Sequence, residues 1–352
     1  MIVLSIKIRI FCVYFKISKN CSKFKERYCV AEKKNVLLIY IPCHNDFDAA
    51  VNQAKKVKLE FLSYTKLVER HIAKVEIIIS VNNYTPSKNQ IDLANRYVDQ
   101  VILNSNLFLA DANIANGFII ANQRRCDFLW LLSANDVLLN NGVTKMLDKI
   151  SSTKDLVVAA VPDANPITVL KQVINPPVNG YAFGLISGVI YNCQTLSQFF
   201  NTAQFFTWTG WSQLSVIQNA LDQKGSLNIN TVNIYDIYVQ RQTKPTELRN
   251  KYGHSFFGYI LLGSIFAKSI RDRNQFIKQY VFNNAFKISL YKRSNTMSVN
   301  VLNPESYLIW NQYLAESVIK KSSLIIYFFY KIMSFLPFWT YKRKYNYAKE
   351  ML

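Results

Sequence analysis

The chain has 352 residues, half of them hydrophobic, and 42 lysines and arginines against 22 acids give it a formal net charge of +20. The hydrophobic fraction excludes global disorder, and the length fits one large α/β domain with appendages, or two domains. The charge points to an anionic partner, whether nucleic acid, an anionic membrane or a phosphorylated substrate. Six cysteines at 12, 21, 29, 43, 126 and 193 form no CxxC pair and have no histidines at zinc spacing. A disulfide framework and a metal knuckle are therefore unsupported, and the thiols read as reduced and cytosolic.

The opening stretch MIVLSIKIRIFCVYFKI is apolar but broken by Lys7, Arg9 and Lys16. It is too interrupted for a spanning helix, and no small-residue cleavage site follows. Residues 1–35 are expected to be a basic and apolar extension outside the main fold, either a membrane-touching arm or the product of an upstream start codon. From residue 36 strands and helices alternate. NVLLIYIP reads as a strand, and DFDAAVNQAKKVKLEFLSYTKL as a helix with Asp46 and Asp48 near its positive end. VEIIISV is a second strand, SKNQIDLANRY a short helix, VDQVILN a third strand and ADANIANGFIIANQ a helix. DFLWLL, NNGVTKMLDKI and LVVAAV continue as strand, helix and strand. This rhythm predicts an α/β fold with a mainly parallel sheet covered by helices on both faces.

No GxGxxG follows the first strand and no GxxxxGK[ST] occurs, which argues against a dinucleotide-binding dehydrogenase or a P-loop NTPase. Polar residues instead gather where strands end. Pro42, His44 and Asn45 follow the first strand, and Asn82 and Asn83 the second. Asn106, Asn113, Asn116 and Gly117 follow the third, and Ser133, Ala134, Asn135 and Asp136 the fourth. Each asparagine alone is explained by a turn or a helix cap. Four successive loops with polar groups on one rim point to a ligand crevice at the carboxyl ends of the strands. The spacing His44, Asp46, Asp48 is unspecific as a metal site, and capping explains the acids more simply.

The order of these segments over about residues 36–240 resembles the family 2 glycosyltransferases. Pro42, Cys43, His44 and Asn45 match that family's Pro-x-(Tyr/His)-Asn type motif, and SVNNYT partly matches its Asp-Asn-Asn-Ser motif. NSNLFLADANIANGFIIA matches its loop rich in Asn and Gly before a long helix. LLSANDVLL answers its fLDxDD signature, and FGLISGVIYN looks like its acceptor-side strand. The resemblance implies a GT-A fold and a nucleotide-diphosphosugar donor bound around Pro42, His44, Asn45, Asn82, Asn83, Asn113, Ser133 and Asn135. It further implies a divalent cation, Mg²⁺ or Mn²⁺, at Asn135 and Asp136, with inversion at the sugar. Within the family the chain looks closest to transferases of bacterial surface polysaccharide assembly, lipopolysaccharide or capsule, acting on a glycan or lipid-linked acceptor.

Three departures matter. Ser133 and Asn135 stand where the signature has carboxylates, so only Asp136 keeps a charge for a hard cation. Val81 replaces the aspartate that usually meets the nucleotide. The family's acid pair before a later helix is missing from FFTWTGWSQLSVIQNAL, which has no acid before Asp222. Asp222 reads as solvated surface, and Asp163, just after the fifth strand, is the better candidate base beside Asp136. The aromatics at 205–211 fit either a sugar-stacking platform or core. Arg124 and Arg125 precede the fourth strand, on the other rim, and read as surface.

Residues 241–320 read as a helical C-terminal region, and 321–352 as a basic aromatic tail. SSLIIYFFYKIMSFLPFWTYKRKY holds Lys331 inside its apolar run and Lys342, Arg343 and Lys344 beyond it. A central lysine suits a spanning helix poorly, whereas an interfacial segment or a last core helix both fit. The expected setting is peripheral, on the inner face of the cytoplasmic membrane, with no nucleic-acid partner, because the charge concentrates at the two ends. A catalytically degenerate relative that binds nucleotide-sugar or a partner transferase is the alternative function.

Overall fold

A computed structural model of the chain describes residues 35–43, 46–67, 72, 74–82, 84–104, 110–134, 136–150, 152–160, 169–171, 183–184, 186–239, 245–289 and 306–335. Residues 1–34 of the N-terminal extension and tail residues 336–352 lie outside the described residues, as do His44, Asn45, Asn83, Asn106, Asn135 and Asp163.

The first half alternates as the sequence predicts: β1 (Val36–Cys43), α1 (Phe47–Leu67), β2 (Lys74–Asn82), α2 (Lys88–Ala94), β3 (Gln100–Asn104), α3 (Ala110–Gln123) and β4 (Phe128–Leu131). Next come β5 (Val137–Leu138), α4 (Gly142–Asp148), β6 (Leu156–Ala160), β7 (Val169–Lys171) and β8 (Val189–Asn192). The chain then builds α5 (Ser212–Lys224), β9 (Ser226–Asn233), β10 (Tyr238–Val239), α6 (Pro245–Phe266), α7 (Ile270–Asn283), α8 (Ser306–Ser322) and α9 (Leu324–Phe335). The main sheet has the order β3-β2-β1-β4-β8-β6-β9-β7, and β5 pairs with β10 in a small separate ribbon. Strands β1, β2, β3, β4, β6 and β9 run one way, while β8 and β7 run against them. The antiparallel insertion of β8 between β4 and β6 is not visible in VIYN, because four buried residues carry no direction.

Side chains of β1 alternate between two cores, as the two-residue period of a strand requires. Leu38 and Tyr40 join the cluster beneath α3 and α5, whereas Leu37, Ile39, Ile41 and Cys43 join the one beneath α1 and α4. Leu129 and Leu131 of β4 face the first cluster, and Phe128, Trp130 and Leu132 the second. Central strands covered on both faces must be apolar throughout, which is why they read as continuous hydrophobic runs.

The local chemistry of the helix starts is met by side chains. Asp46 accepts the Ala49 N–H at 2.9 Å, and a Ser87–Gln90 capping box opens α2. The first turn of α4 has no side-chain cap of its own. Glu60 from α1 supplies the acceptor at 3.0 Å from Val143 N, and burial pushes its carboxyl above the usual range. The amino edge of the sheet is sewn by two buried carboxylates. Asp127 accepts from Val36 N at 2.9 Å and Gln194 Nε2 at 2.8 Å. Asp155 accepts from Asn228 N at 2.8 Å and pairs with Lys224. Burial alone would raise Asp155, but these partners outweigh it and hold the carboxyl below its ordinary range.

The C-terminal helices extend the core on the α3 and α5 side. Phe256, Phe257 and Ile260 of α6, Ile277 of α7, Ala315 and Ile319 of α8, and Ile326 and Tyr330 of α9 share one cluster with Tyr40 and Leu131. Helix α6 lies directly on the turn at Thr207–Thr209: a Cβ on Gly258 would fall 1.6 Å from the Thr209 carbonyl oxygen. Buried Asn311 of α8 donates to the Trp208 carbonyl on the same turn. Helices α8 and α9 are joined by Glu316, which meets Lys331 Nζ at 2.6 Å and the Tyr330 hydroxyl at 2.9 Å.

Two predictions test this packing. Gly258→Ala should destabilise the fold by about 1–3 kcal/mol, the scale of overpacking a filled core, read as a fall in melting temperature. Glu316 is held below the usual carboxylate range, because the bonds from Lys331 and Tyr330 outweigh the raising effect of burial. Its contribution is fully present above the unfolded value of about 4.3 and is lost as pH falls through the lower folded value. The melting-temperature gap between the wild type and Glu316→Gln should therefore be widest near neutral pH and close in acid.

Candidate functional site at the carboxyl edge of the sheet

Parallel pairing brings the polar strand ends to one edge. Pro42 stands opposite Ser80, Cys43 opposite Val81, and Asn82 opposite Asn104. Tyr40 stands opposite Leu131, and the Leu132 N–H donates to the Tyr40 carbonyl at 2.9 Å. Ser133–Asp136 therefore leaves the sheet on the same edge as Pro42 and Asn82. This is the edge where parallel α/β sheets bind ligands. Burial pushes the Cys43 thiol up to about 11, so the thiol stays protonated at neutral pH and is not a ready nucleophile.

The turn after β4 is fastened by a residue from a distant segment. Ser187, in the 3₁₀ turn preceding β8, accepts the Ser133 N–H at 2.7 Å and donates its own hydroxyl to Asp136 Oδ2 at 2.5 Å. Its carbonyl takes the Trp130 indole N–H at 2.8 Å, and Gln53 of α1 reaches the Ser133 carbonyl at 3.5 Å. Asp136 is 8% exposed. A hydroxyl bound to a carboxylate in a buried place is a short, charge-assisted bond, so the aspartate is held in one orientation. Sequence reasoning singled out Asp136 and Ser133 but not Ser187, whose partner lies 51 residues away.

Asn113 sits on the first turns of α3 and points its amide into the sheet. Its Oδ1 accepts from the Tyr40 hydroxyl at 2.8 Å and its Nδ2 donates to the Ser80 carbonyl at 2.8 Å. Asn116 reaches the same hydroxyl at 3.3 Å, and Asn104 donates to Ser80 Oγ at 2.7 Å and to the Val81 carbonyl at 3.0 Å. Burial drives the Tyr40 hydroxyl up to about 12, against the lowering effect of its bonds to Ser80 and Asn116. Gly117 explains the close approach of α3: a Cβ there would lie 2.7 Å from Tyr40 Cδ1 and 2.8 Å from Leu131 Cδ2. This network locks α3 to β1 and β2 and fixes the floor of the edge.

Two further features border the same edge. Asp111, in the first turn of α3, is buried, and Ser212 at the start of α5 stands 3.4 Å from its Oδ1. Its signal in the sequence is an acid that opens the helix after β3. Of the aromatic segment, Trp208 and Trp211 pack on the core, Trp211 edge-on to Tyr259 at 5.5 Å, while Phe205 is 56% exposed. Asp222 is exposed on the last turn of α5. Arg124 pairs with Glu76 at 3.0 Å on the amino edge. A cleft of about 480 Å³ lies just beyond Asp136, lined by Lys56, Val137, Leu139, Lys145, Tyr235 and Asp236. It faces the β5–β10 ribbon and borders the Ser133–Asp136 turn without containing it.

Among the described residues no group of three His, Cys, Asp or Glu side chains could hold a metal ion. Among the described residues of the turn the donors are thin for a hard cation: one carboxylate, with an oxygen engaged by Ser187, and the Ser133 hydroxyl. A Mg²⁺ ion held through one carboxylate and the oxygens of a bound diphosphate is compatible with that set, and these two side chains alone do not make an all-protein cage.

Ser187→Ala removes both bonds of the fastening. It should cost about 1.5–3 kcal/mol, the range for a bond to a charged group, with Ser187→Thr costing less. Chemical denaturation of both variants measures the difference.

No family model matches the chain, and no curated protein matches it. Among solved structures it is similar to S. aureus TarS 1–349 in complex with UDP-GlcNAc, with a TM-score of 0.49, 10% identity, and coverage of 89% of this chain and 92% of that one. It is also similar to glucosyl-3-phosphoglycerate synthase from Mycobacterium tuberculosis in complex with Mg²⁺ and UDP, with a TM-score of 0.41, 9% identity, and coverage of 68% and 86%. A 4-diphosphocytidyl-2C-methyl-D-erythritol synthase gives a TM-score of 0.35 at 14% identity, covering 62% of this chain and 96% of that one. Likeness at this level assigns no residue a role.

Proposed function

We propose that the chain is a GT-A glycosyltransferase of the family 2 type. It would move a sugar from a nucleotide-diphosphosugar to a glycan or lipid-linked acceptor in surface polysaccharide assembly, working peripherally at the inner face of the cytoplasmic membrane. One observation carries the reading. Asp136, in the segment that resembles the donor signature, is held by Ser187, in the segment that resembles the acceptor-side strand, on the carboxyl edge of the sheet. The Ser187 hydroxyl, bonded to both Ser133 and Asp136, thus joins the two segments that such a reaction would need side by side.

In this reading the acceptor hydroxyl attacks the anomeric carbon with inversion. The new O–C bond forms as the bond to the diphosphate breaks, the hydroxyl proton passes to a carboxylate, and the nucleoside diphosphate leaves. Pro42, His44, Asn45, Asn82, Asn83, Asn113, Ser133 and Asn135 frame the donor, with the amide of Asn113 shaping the floor rather than reaching outward. Asp136 provides negative charge beside the diphosphate. A divalent cation shared by Asp136, Asn135 and the diphosphate would supply counter-charge to the leaving group. Asp163 is the proposed base, and buried Asp111 beside Ser212 is a second carboxylate on the same edge.

A second reading has its own support. Ser133 stands at the signature's first carboxylate position, one oxygen of Asp136 is engaged by Ser187, and α5 opens on Ser212 and Gln213 rather than on acids. A chain built this way could bind nucleotide-sugar without transferring it.

Purified protein incubated with UDP-, GDP-, CMP- and dTDP-sugars, with and without Mn²⁺, separates the two. The transferase reading expects one donor to raise the melting temperature and to release its nucleotide, a nucleoside diphosphate from UDP-, GDP- or dTDP-sugars and CMP from a CMP-sugar, with an acceptor present. Asp136→Ala should lower that turnover by about 10²-fold, and Asn135→Asp should tighten the cation dependence. A donor that binds and is never turned over favours the second reading, and the absence of any nucleotide-sugar binding contradicts both.

A further inference from the structure

Helix α9 is apolar on two opposite sides. Ile326, Tyr330 and Met333 face the core. Ile325, Phe328, Ile332 and Phe335, spaced three, four and three residues apart, form a stripe on the other side and are 63% to 80% exposed. Leu324 adds a further exposed side chain at the start. A helix apolar all round belongs inside a core or against another apolar phase, and half of this one is in neither. The described residues of α9, 12 in number, span about 18 Å, less than a hydrocarbon core of about 30 Å. No described helix is long and apolar enough to cross a membrane.

Charge identifies what covers the stripe. Lys331, the lysine inside the apolar run, is drawn sideways to Glu316 at 2.6 Å and packs over the Tyr327 ring at 5.3 Å, so its charge is met within the fold. Lys320 and Lys321 are exposed at the end of α8, where α9 begins, and Lys320 stands 5.8 Å from the same Tyr327 ring. The sequence that follows the helix adds Lys342, Arg343 and Lys344. An apolar stripe with exposed lysines at its end matches the acyl and headgroup layers of an anionic bilayer. On α8, Trp310 and Tyr313 are 64% and 63% exposed, residue types that favour the headgroup level.

We infer that the outer face of α9, Ile325, Phe328, Ile332 and Phe335, is a monotopic membrane-binding surface that lies in the plane of an anionic lipid layer. This deepens the peripheral-membrane part of the proposed function and rests on that part alone. Helix α9 belongs to the same buried cluster as the sheet, so docking it would hold the whole folded unit at the membrane.

The test is sedimentation of the full chain with vesicles, which needs no sugar transfer and so can fail or succeed independently of the enzyme reading. Vesicles of phosphatidylcholine alone are compared with equal parts of phosphatidylcholine and phosphatidylglycerol. Wild type should sediment with the anionic vesicles and more weakly with the neutral ones. The double variant Phe328→Ser, Ile332→Ser should partition at least tenfold less, with an unchanged melting temperature because both side chains are exposed. Ile270→Ser, which removes an exposed apolar residue of α7, should bind as wild type does. Vesicle binding by the double variant equal to wild type overturns the proposal, as does wild type that ignores anionic vesicles. A wild-type dimer in ultracentrifugation that the double variant dissolves, without vesicle binding, would instead assign the stripe to a second copy of the chain.

Discussion

The hydroxyl of Ser187 is the point on which the candidate site depends. It accepts one bond from the backbone of Ser133 and gives one to the carboxylate of Asp136, and both partners leave β4 while Ser187 leads into β8. A carboxyl buried without a partner is costly, and the serine is one partner that meets it. The antiparallel entry of β8 beside β4 is what delivers that hydroxyl, so a topological detail of the sheet sets the orientation of the Asp136 carboxylate.

The two edges of the sheet do different work. At the amino edge Asp127 and Asp155 are met by backbone N–H groups and by Gln194 and Lys224, an arrangement that secures strand starts. At the carboxyl edge the described polar groups include the Tyr40–Ser80–Asn104–Asn113 network below, the Ser133–Asp136 turn beside it, and Asp111 with Ser212. The C-terminal helices are not remote from this edge. Gly258 and Asn311 press α6 and α8 onto the turn that carries Trp208 and leads to α5, whose first residue approaches Asp111. Changes in those helices therefore bear on the site through packing.

Much of this was legible in the sequence, and for identifiable reasons. The strands β1, β2 and β4 are buried on both faces over most of their length and so announce themselves as mainly apolar runs. Their parallel pairing then forces Pro42, Asn82 and Asp136 onto one edge, as the strand-helix rhythm predicts. Asp46 reads as a cap and is one. What the sequence hid are contacts between distant segments. Nothing in FGLISGVIYN marks Ser187 as the partner of an aspartate 51 residues earlier, and nothing in VIYN marks its direction. Asn113 drew attention as a ligand-binding side chain, whereas its hydrogen bonds run to Tyr40 and Ser80, partners that only the packing of α3 could reveal. Lys331 read as an interruption of an apolar segment, and its partner Glu316 lies on the preceding helix, beyond the reach of local pattern.

The most direct test is an experimental structure of the full chain with the nucleotide-sugar that most raises its melting temperature. The account predicts the diphosphate at the carboxyl edge, between the ends of β1 and β2 and the Ser133–Asp136 turn, with Asp136 still bonded to Ser187 and facing the diphosphate or its cation. A nucleotide bound at the amino edge, or in the β5–β10 cleft with Asp136 turned away from it, would contradict it.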